Sequence, residues 1–130
     1  MVSVHYYTPW DFCTTNIKNE WGTASEQQEM ERLIGMMKTN FVDKGVPVIV
    51  GEYAASGNDF NSCIFFCEKL VKLCNDYRIA TFLWDNGSGQ IDRSTNTWRS
   101  EQMHSVLLRA VSGEDYTPEK PGTASSQEAA

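Results

Sequence analysis

Glu52 is a lone carboxylate at the end of a β-branched run, Val46 to Val50, closed by Gly51. Two other β-rich runs also end in groups that can do chemistry or hold a ligand. Val2-Ser3-Val4-His5-Tyr6-Tyr7 leads into Thr8-Pro9-Trp10, and Ile79-Ala80-Thr81-Phe82-Leu83-Trp84 leads into Asp85-Asn86-Gly87. A carboxylate can attack an electrophilic carbon or move a proton, a tyrosine hydroxyl can orient it, and an indole offers a flat apolar face with a polar edge. Taken singly, each residue has an ordinary reading. Glu52 can be a solvated or lysine-paired strand end, and His5 a satisfied histidine at a sheet edge. Asp85 and Asn86 can stabilise the turn before Gly87, and Trp10, in the loop after the first strand, can simply cover a rim. Trp21 and Trp98 read as packing residues.

What gives the three runs a common purpose is the order of elements between them. A five-residue apolar run before a glycine reads as a buried strand. Helical patterns separate the runs, and the alternation strand, helix, strand, helix, strand, helix predicts parallel βαβ units with right-handed crossovers, an α/β fold. All three strand ends then lie on one rim, where parallel sheets carry their reactive groups, and His5, Tyr7, Glu52 and Trp84 can meet. Thr23 and Glu26 have capping-box spacing, with Met30, Leu33, Ile34, Met37 and Phe41 following at helical period until Gly45 and Pro47. Asn61 or Ser62 is read as the cap of the second helix, whose inner face is Ile64, Cys67, Leu70, Val71 and Cys74. Ser100 caps the third, with Met103, Val106, Leu107, Ala110 and Val111 inward. These stripes read as sheet-facing core.

The motifs HYYTPW, VPVIVGEY and FLWDNG, in this order and at these separations, resemble the last three strand ends of the glycoside hydrolase family 5 cellulases. The resemblance covers about residues 2 to 111. It implies a (β/α)8 TIM barrel of which this chain supplies roughly strands 6 to 8 with their helices. Glu52 would be the catalytic nucleophile, Tyr7 would hold its orientation and favour its ionised form, and His5 would shape the polar site. Trp84 would be the platform under the sugar, Trp10 a further platform and Asn86 a hydroxyl contact. The implied activity is endo-β-1,4-glucanase, with xyloglucanase, lichenase, mannanase or a non-catalytic carbohydrate-binding fragment as alternatives. The implied partner is a β-linked polysaccharide or oligosaccharide, the implied location is extracellular, and no metal or cofactor is called for.

Retaining glycosidases need a second carboxyl group about 5 to 5.5 Å from the nucleophile. In the family this glutamate sits in an Asn-Glu-Pro motif, and none occurs here; Asn19-Glu20 is followed by Trp21, after the wrong strand. A barrel of this kind takes about 250 residues, against 130 here. The expectation is therefore a partial catalytic domain at residues 1–111 with an incomplete barrel, weak or inactive alone, whose missing amino-terminal part lies in a parent chain.

A formal net charge of −6 argues against nucleic acid and anionic membranes as partners, because both would repel the chain. No apolar run approaches the ~18 residues of a membrane span, and no basic and hydrophobic leader opens the sequence. Cys63, Cys67 and Cys74 share one predicted helix, where neighbours on successive turns stand about 5–6 Å apart at Cβ, too far for an unstrained disulfide. They read as small core residues, and Cys13 as standing alone in a loop. A metal would need Cys-x-x-Cys or histidine ligands, and His104 lies on another helix. From Ser112 the composition turns to Pro, Gly, Ser, Thr and Glu, which reads as a disordered tail or linker over 112–130.

Overall fold

The computed structural model describes residues 1–121. Three parallel strands form a sheet in the order β1-β2-β3, with β1 at Val2–Tyr6, β2 at Val48–Tyr53 and β3 at Ala80–Leu83. Helix α1 (Trp10–Cys13) and helix α2 (Ala24–Asn40) lie between the first two strands, α3 (Phe60–Asp76) between the second and third, and α4 (Glu101–Ala110) follows a small antiparallel hairpin, β4 (Ile91–Asp92) and β5 (Thr97–Trp98). Strands adjacent in sequence are adjacent in space, so each unit adds to the same edge. The predicted three βα units are present.

Local chemistry sets the helix boundaries. Thr23 caps α2 through its side chain, which accepts from the Glu26 amide, while the Glu26 carboxylate accepts from the Thr23 N–H, so the predicted capping box is complete. The helix ends at Asn40, a 3-10 turn over Val42–Lys44 follows, and Gly45 takes a left-handed φ of 76°. Ser100 caps α4, as its position suggested. The cap of α3 is Asp59, not Asn61 or Ser62: its carboxylate accepts from the Ser62 N–H at 2.9 Å and the Ser62 hydroxyl at 2.6 Å. Aspartate wins because the helix starts earlier than its apolar stripe does.

The core lies on the helical side of the sheet. Val48, Val50, Tyr6 and Tyr53 are buried there with Ile34, Ile64, Leu70 and Met103. Phe66 is its centre, in ring contact with Tyr6 at 6.2 Å, Phe12 at 5.6 Å and Trp21 at 5.1 Å. Helix α3 packs against α2, α4 and β3, which explains why it is buried almost all round, including Glu68 and Lys72.

Several expectations are corrected. Trp10 and Cys13 are not in a loop but on α1, and Cys13 is buried in the core rather than standing alone. Phe41 and Val111, both read as core, are the C-caps of α2 and α4 and stay exposed, since each helix stops before its stripe does. The first part of the segment read as a tail is placed against the helices: the Tyr116 hydroxyl donates to Glu68 Oε1 at 3.0 Å and the Arg109 guanidinium lies 3.8 Å above its ring. Residues 122–130 of that segment fall outside the described residues.

The opposite side of the sheet is open. Ser3, His5, Ala80 and Phe82 point there, Phe82 with 54 % of its surface exposed.

Candidate functional site

Strict alternation along β2 would spoil the site. With Val48 and Val50 buried against the helices, a regular strand would turn Glu52 inward with them and expose Tyr53. The pairing instead slips by one residue on both sides of the strand: Val4 pairs Val50 but His5 pairs Glu52, and Val50 pairs Thr81 but Tyr53 pairs Leu83. The extra residue reverses the phase, as bulges beside reactive sites do. Tyr53 therefore stays 2 % exposed while Glu52 lines the open hollow at the strand ends. Gly51 fits the slip because a Cβ there would come within 2.8 Å of the Ser3 hydroxyl.

Around Glu52 two groups converge on one oxygen. The Tyr7 hydroxyl donates to Oε2 at 2.9 Å, and His5 Nδ1 lies 3.4 Å from the same atom. Burial, and then the hydrogen bond to the carboxylate, push the Tyr7 hydroxyl up to about 12. At neutral pH Tyr7 is thus a neutral, permanent donor. It leaves Oε1 of Glu52 without a bond to either of these two groups.

The hollow has a volume of about 520 Å³ and is lined by Tyr7, Trp10, Glu52, Trp84, Asn86 and Gln90 among others. Trp84 and Trp10 are 51 % and 64 % exposed, so both indoles are open to solvent. The rings of Trp10 and Tyr7 meet edge to face at 6.2 Å with planes at 76°, which links α1 to the tyrosine that bonds Glu52. Asn86 lines the hollow, but its Oδ1 accepts from the N–H and hydroxyl of Ser88. His5 touches Glu52 yet borders a separate, smaller hollow with Leu33, Met36 and Phe41.

Sequence reasoning did not bring in the loop after β2 or the β4–β5 hairpin. Ala54, Ala55 and Ser56 line the hollow, and the Ser56 hydroxyl donates to the Cys13 carbonyl at 2.8 Å, stitching the loop after β2 to the end of α1. Gly57 permits that closeness, since a Cβ there would stand 2.5 Å from the Phe12 ring. The hairpin had a readable signal, Ile91-Asp92 and Thr97-Trp98 around a polar Ser-Thr-Asn turn. Trp98 does pack, stacking on His104 at 4.8 Å, and Trp21 is fully enclosed. Among the described residues no group of three or more His, Cys, Asp or Glu could hold a metal, and no helix is long and apolar enough to cross a membrane.

A carboxylate, an orienting tyrosine and two exposed indoles on the carboxyl rim of a parallel sheet are the parts of a ligand site of α/β-barrel type. Residues 1–90 match the family model described as Cellulase (glycosyl hydrolase family 5), and the chain belongs to that family. It is 27 % identical to Endoglucanase B of Paenibacillus lautus, over 90 % of this chain and 22 % of that protein. It is 28 % identical to the xyloglucan-specific endo-beta-1,4-glucanase BoGH5A of Bacteroides ovatus, over 82 % of this chain and 26 % of that one. A tri-modular GH5 (subfamily 4) endo-beta-1,4-glucanase from Bacillus licheniformis superposes with a TM-score of 0.79 at 35 % identity, over 84 % of this chain and 22 % of that one. It has also been solved with cellotetraose. The chain thus spans about a quarter of the length of these relatives. Their likeness implies that the three-stranded sheet is of (β/α)8-barrel type.

Proposed function

We propose that this chain is the nucleophile-bearing part, strands 6 to 8, of a retaining endo-β-1,4-glucanase. The observation that carries the reading is the Tyr7 to Glu52 hydrogen bond at 2.9 Å on the wall of a hollow that Trp84 and Trp10 also face. Glu52 attacks the anomeric carbon through a carboxylate oxygen, forming a glycosyl ester as the bond to the leaving oxygen breaks. Tyr7 holds the carboxylate in orientation through its hydrogen bond, and His5 adds a second polar neighbour at 3.4 Å. The apolar C–H face of a pyranose rests on Trp84, with Trp10 as a second platform and Asn86 at the hydroxyl rim. Departure of the leaving group requires a carboxylic acid about 5 to 5.5 Å from Glu52, supplied from a part of the parent barrel outside residues 1–130. No metal or cofactor takes part in this chemistry.

The relatives' names support a β-glucan as the polymer, with β-1,4-glucan first and xyloglucan as the alternative that BoGH5A favours. Lichenase and mannanase activities are the further alternatives. Action outside the cell fits a polymeric substrate. Without the acid, the chain alone loses the roughly 10²- to 10⁴-fold that a positioned proton donor supplies, which leaves carbohydrate binding as its own activity.

The test is Glu52→Gln in a polypeptide that joins this chain to the Asn-Glu-Pro-bearing units. Hydrolysis of carboxymethyl-cellulose is expected to fall on the order of 10⁴-fold or more, and an unchanged rate would refute the assignment.

A further inference from the structure

The stretch from Trp84 to Arg99 contains a construction that the chemistry at Glu52 does not use. Asp85 accepts through Oδ1 from the Gly87 N–H at 2.6 Å, and through Oδ2 from the N–H groups of Gln90 and of Ile91, the latter at 3.1 Å. Arg93 donates to the Asp85 carbonyl at 3.2 Å. Burial works against the charged form, but these donors together hold the Asp85 carboxyl below its ordinary range.

The turn has little room for anything but backbone. Gly87 sits at a φ of 96°, a Cβ there would fall 2.8 Å from Arg93 Nε, and one at Gly89 would fall 3.1 Å from Asp85 Oδ2. Beyond the turn, the Arg99 N–H donates to the Gln90 carbonyl at 2.8 Å, Ile91 pairs Trp98, and Trp98 stacks on His104 of α4 with planes 12° apart. Both backbone groups of Gln90 are therefore held, one by Asp85 and the other by Arg99.

Two amide residues line the hollow on this side, and they differ. Asn86 spends its Oδ1 on Ser88 inside the turn. Gln90 is half-buried in the wall beside Trp84, and among the described residues its side-chain amide makes no hydrogen bond. A carboxamide donates two hydrogens and accepts at its oxygen, which suits neighbouring hydroxyls of a sugar ring better than an isolated polar atom.

We propose that Gln90 is a sugar-binding residue that hydrogen-bonds a hydroxyl of the β-linked pyranose seated beside Trp84, and that Asp85 is the positioning residue that presents it. This rests on the reading of the hollow as a carbohydrate site. Both carboxylate oxygens of Asp85 are taken by backbone N–H groups of the turn, so it acts on the sugar through the backbone it holds at Gly87, Gln90 and Ile91.

The experiment titrates cellotetraose into the full chain, following tryptophan fluorescence for the Kd and the side-chain amide resonances of Gln90 by NMR. In the unaltered chain the Gln90 NH2 resonances are expected to shift and saturate with the fluorescence change. Gln90→Ala is expected to weaken binding by about 2- to 12-fold, the range of one neutral hydrogen bond, and Gln90→Glu by less, since it keeps the acceptor. Asp85→Asn is expected to weaken binding similarly and to add nothing on top of Gln90→Ala, because both remove the same contact. Full additivity would overturn the positioning role of Asp85. Unweakened binding by Gln90→Ala, with binding lost in Trp84→Ala, would overturn the Gln90 proposal and leave the carbohydrate site standing. A correctly folded unaltered chain that does not bind cellotetraose would overturn both. The Gln90 variants alter only a side chain on the wall, so they remain informative if Asp85→Asn does not fold.

Discussion

The two faces of the one sheet contrast sharply. Val48, Val50 and Tyr53 are turned to the helices and sealed, with Phe66 and Trp21 closing the layer above them. Ser3, His5 and Phe82, from neighbouring positions of the same sheet, stand open, as does Trp84 just past the end of β3. Buried packing is concentrated on the first face, and the candidate site opens on the second. The bulge in β2 is the point where the two meet, since it sends Tyr53 to one side and Glu52 to the other. An apolar residue as exposed as Phe82 contributes little to holding this chain together. In a closed (β/α)8 barrel such inward positions are filled by side chains from other strands.

Substitutions on the two faces should therefore separate cleanly. The largest loss is expected from Phe66→Ala, about 3–5 kcal/mol for a wholly buried ring, read as a lower urea midpoint. A loss no greater than that of Phe82→Ala would erase the contrast. Tyr116→Phe comes next, at about 1–3 kcal/mol, because it removes the donor to the buried Glu68. That change tests whether residues 112–121 belong to the helical side, and an unchanged midpoint would return them to the status of a tail.

A smaller effect depends on pH. Burial raises the Glu26 carboxyl, but the Lys18 ammonium, the Thr23 and Gly22 amides and the Thr23 hydroxyl outweigh it and bring the group from 4.5 to about 2. A carboxyl held lower in the folded chain than in the unfolded one stabilises fully above its unfolded value. The Glu26 contribution should thus be complete above about pH 4.5 and fade as pH falls towards about 2. Denaturation midpoints of Glu26→Gln and the unaltered chain should converge across that window, and a constant gap would count against the capping network. The smallest effect is expected from Phe82→Ser, within about 0.5 kcal/mol. A larger loss would mean that the open face is covered in solution.

Much of the site was legible in the linear order of residues because its parts sit at strand ends, and strand ends are marked locally by apolar runs and glycines. Glu52, Tyr7, His5, Trp84 and Trp10 could be nominated in this way. Asp85 illustrates the limit: its turn role could be suspected from Gly87, but that it grips Gln90 and Ile91 as well depends on a hairpin that begins six residues on. Cys13 is a second case. A solitary cysteine in a polar stretch looks like loop, and only packing beneath α3 makes it core.

By itself the chain's order of residues determined the succession of strands and helices, the Thr23 and Ser100 caps and the inward stripes, because these depend on contacts within a few residues. Tertiary structure decided the phase of β2, the docking of Tyr116 on Glu68, the burial of Cys13 and the shape of the hollow. Each of these is set by a partner distant in sequence. Whether a side chain at a strand end faces the helices or the open rim turns on a one-residue slip against its neighbours, and only the assembled sheet fixes that register.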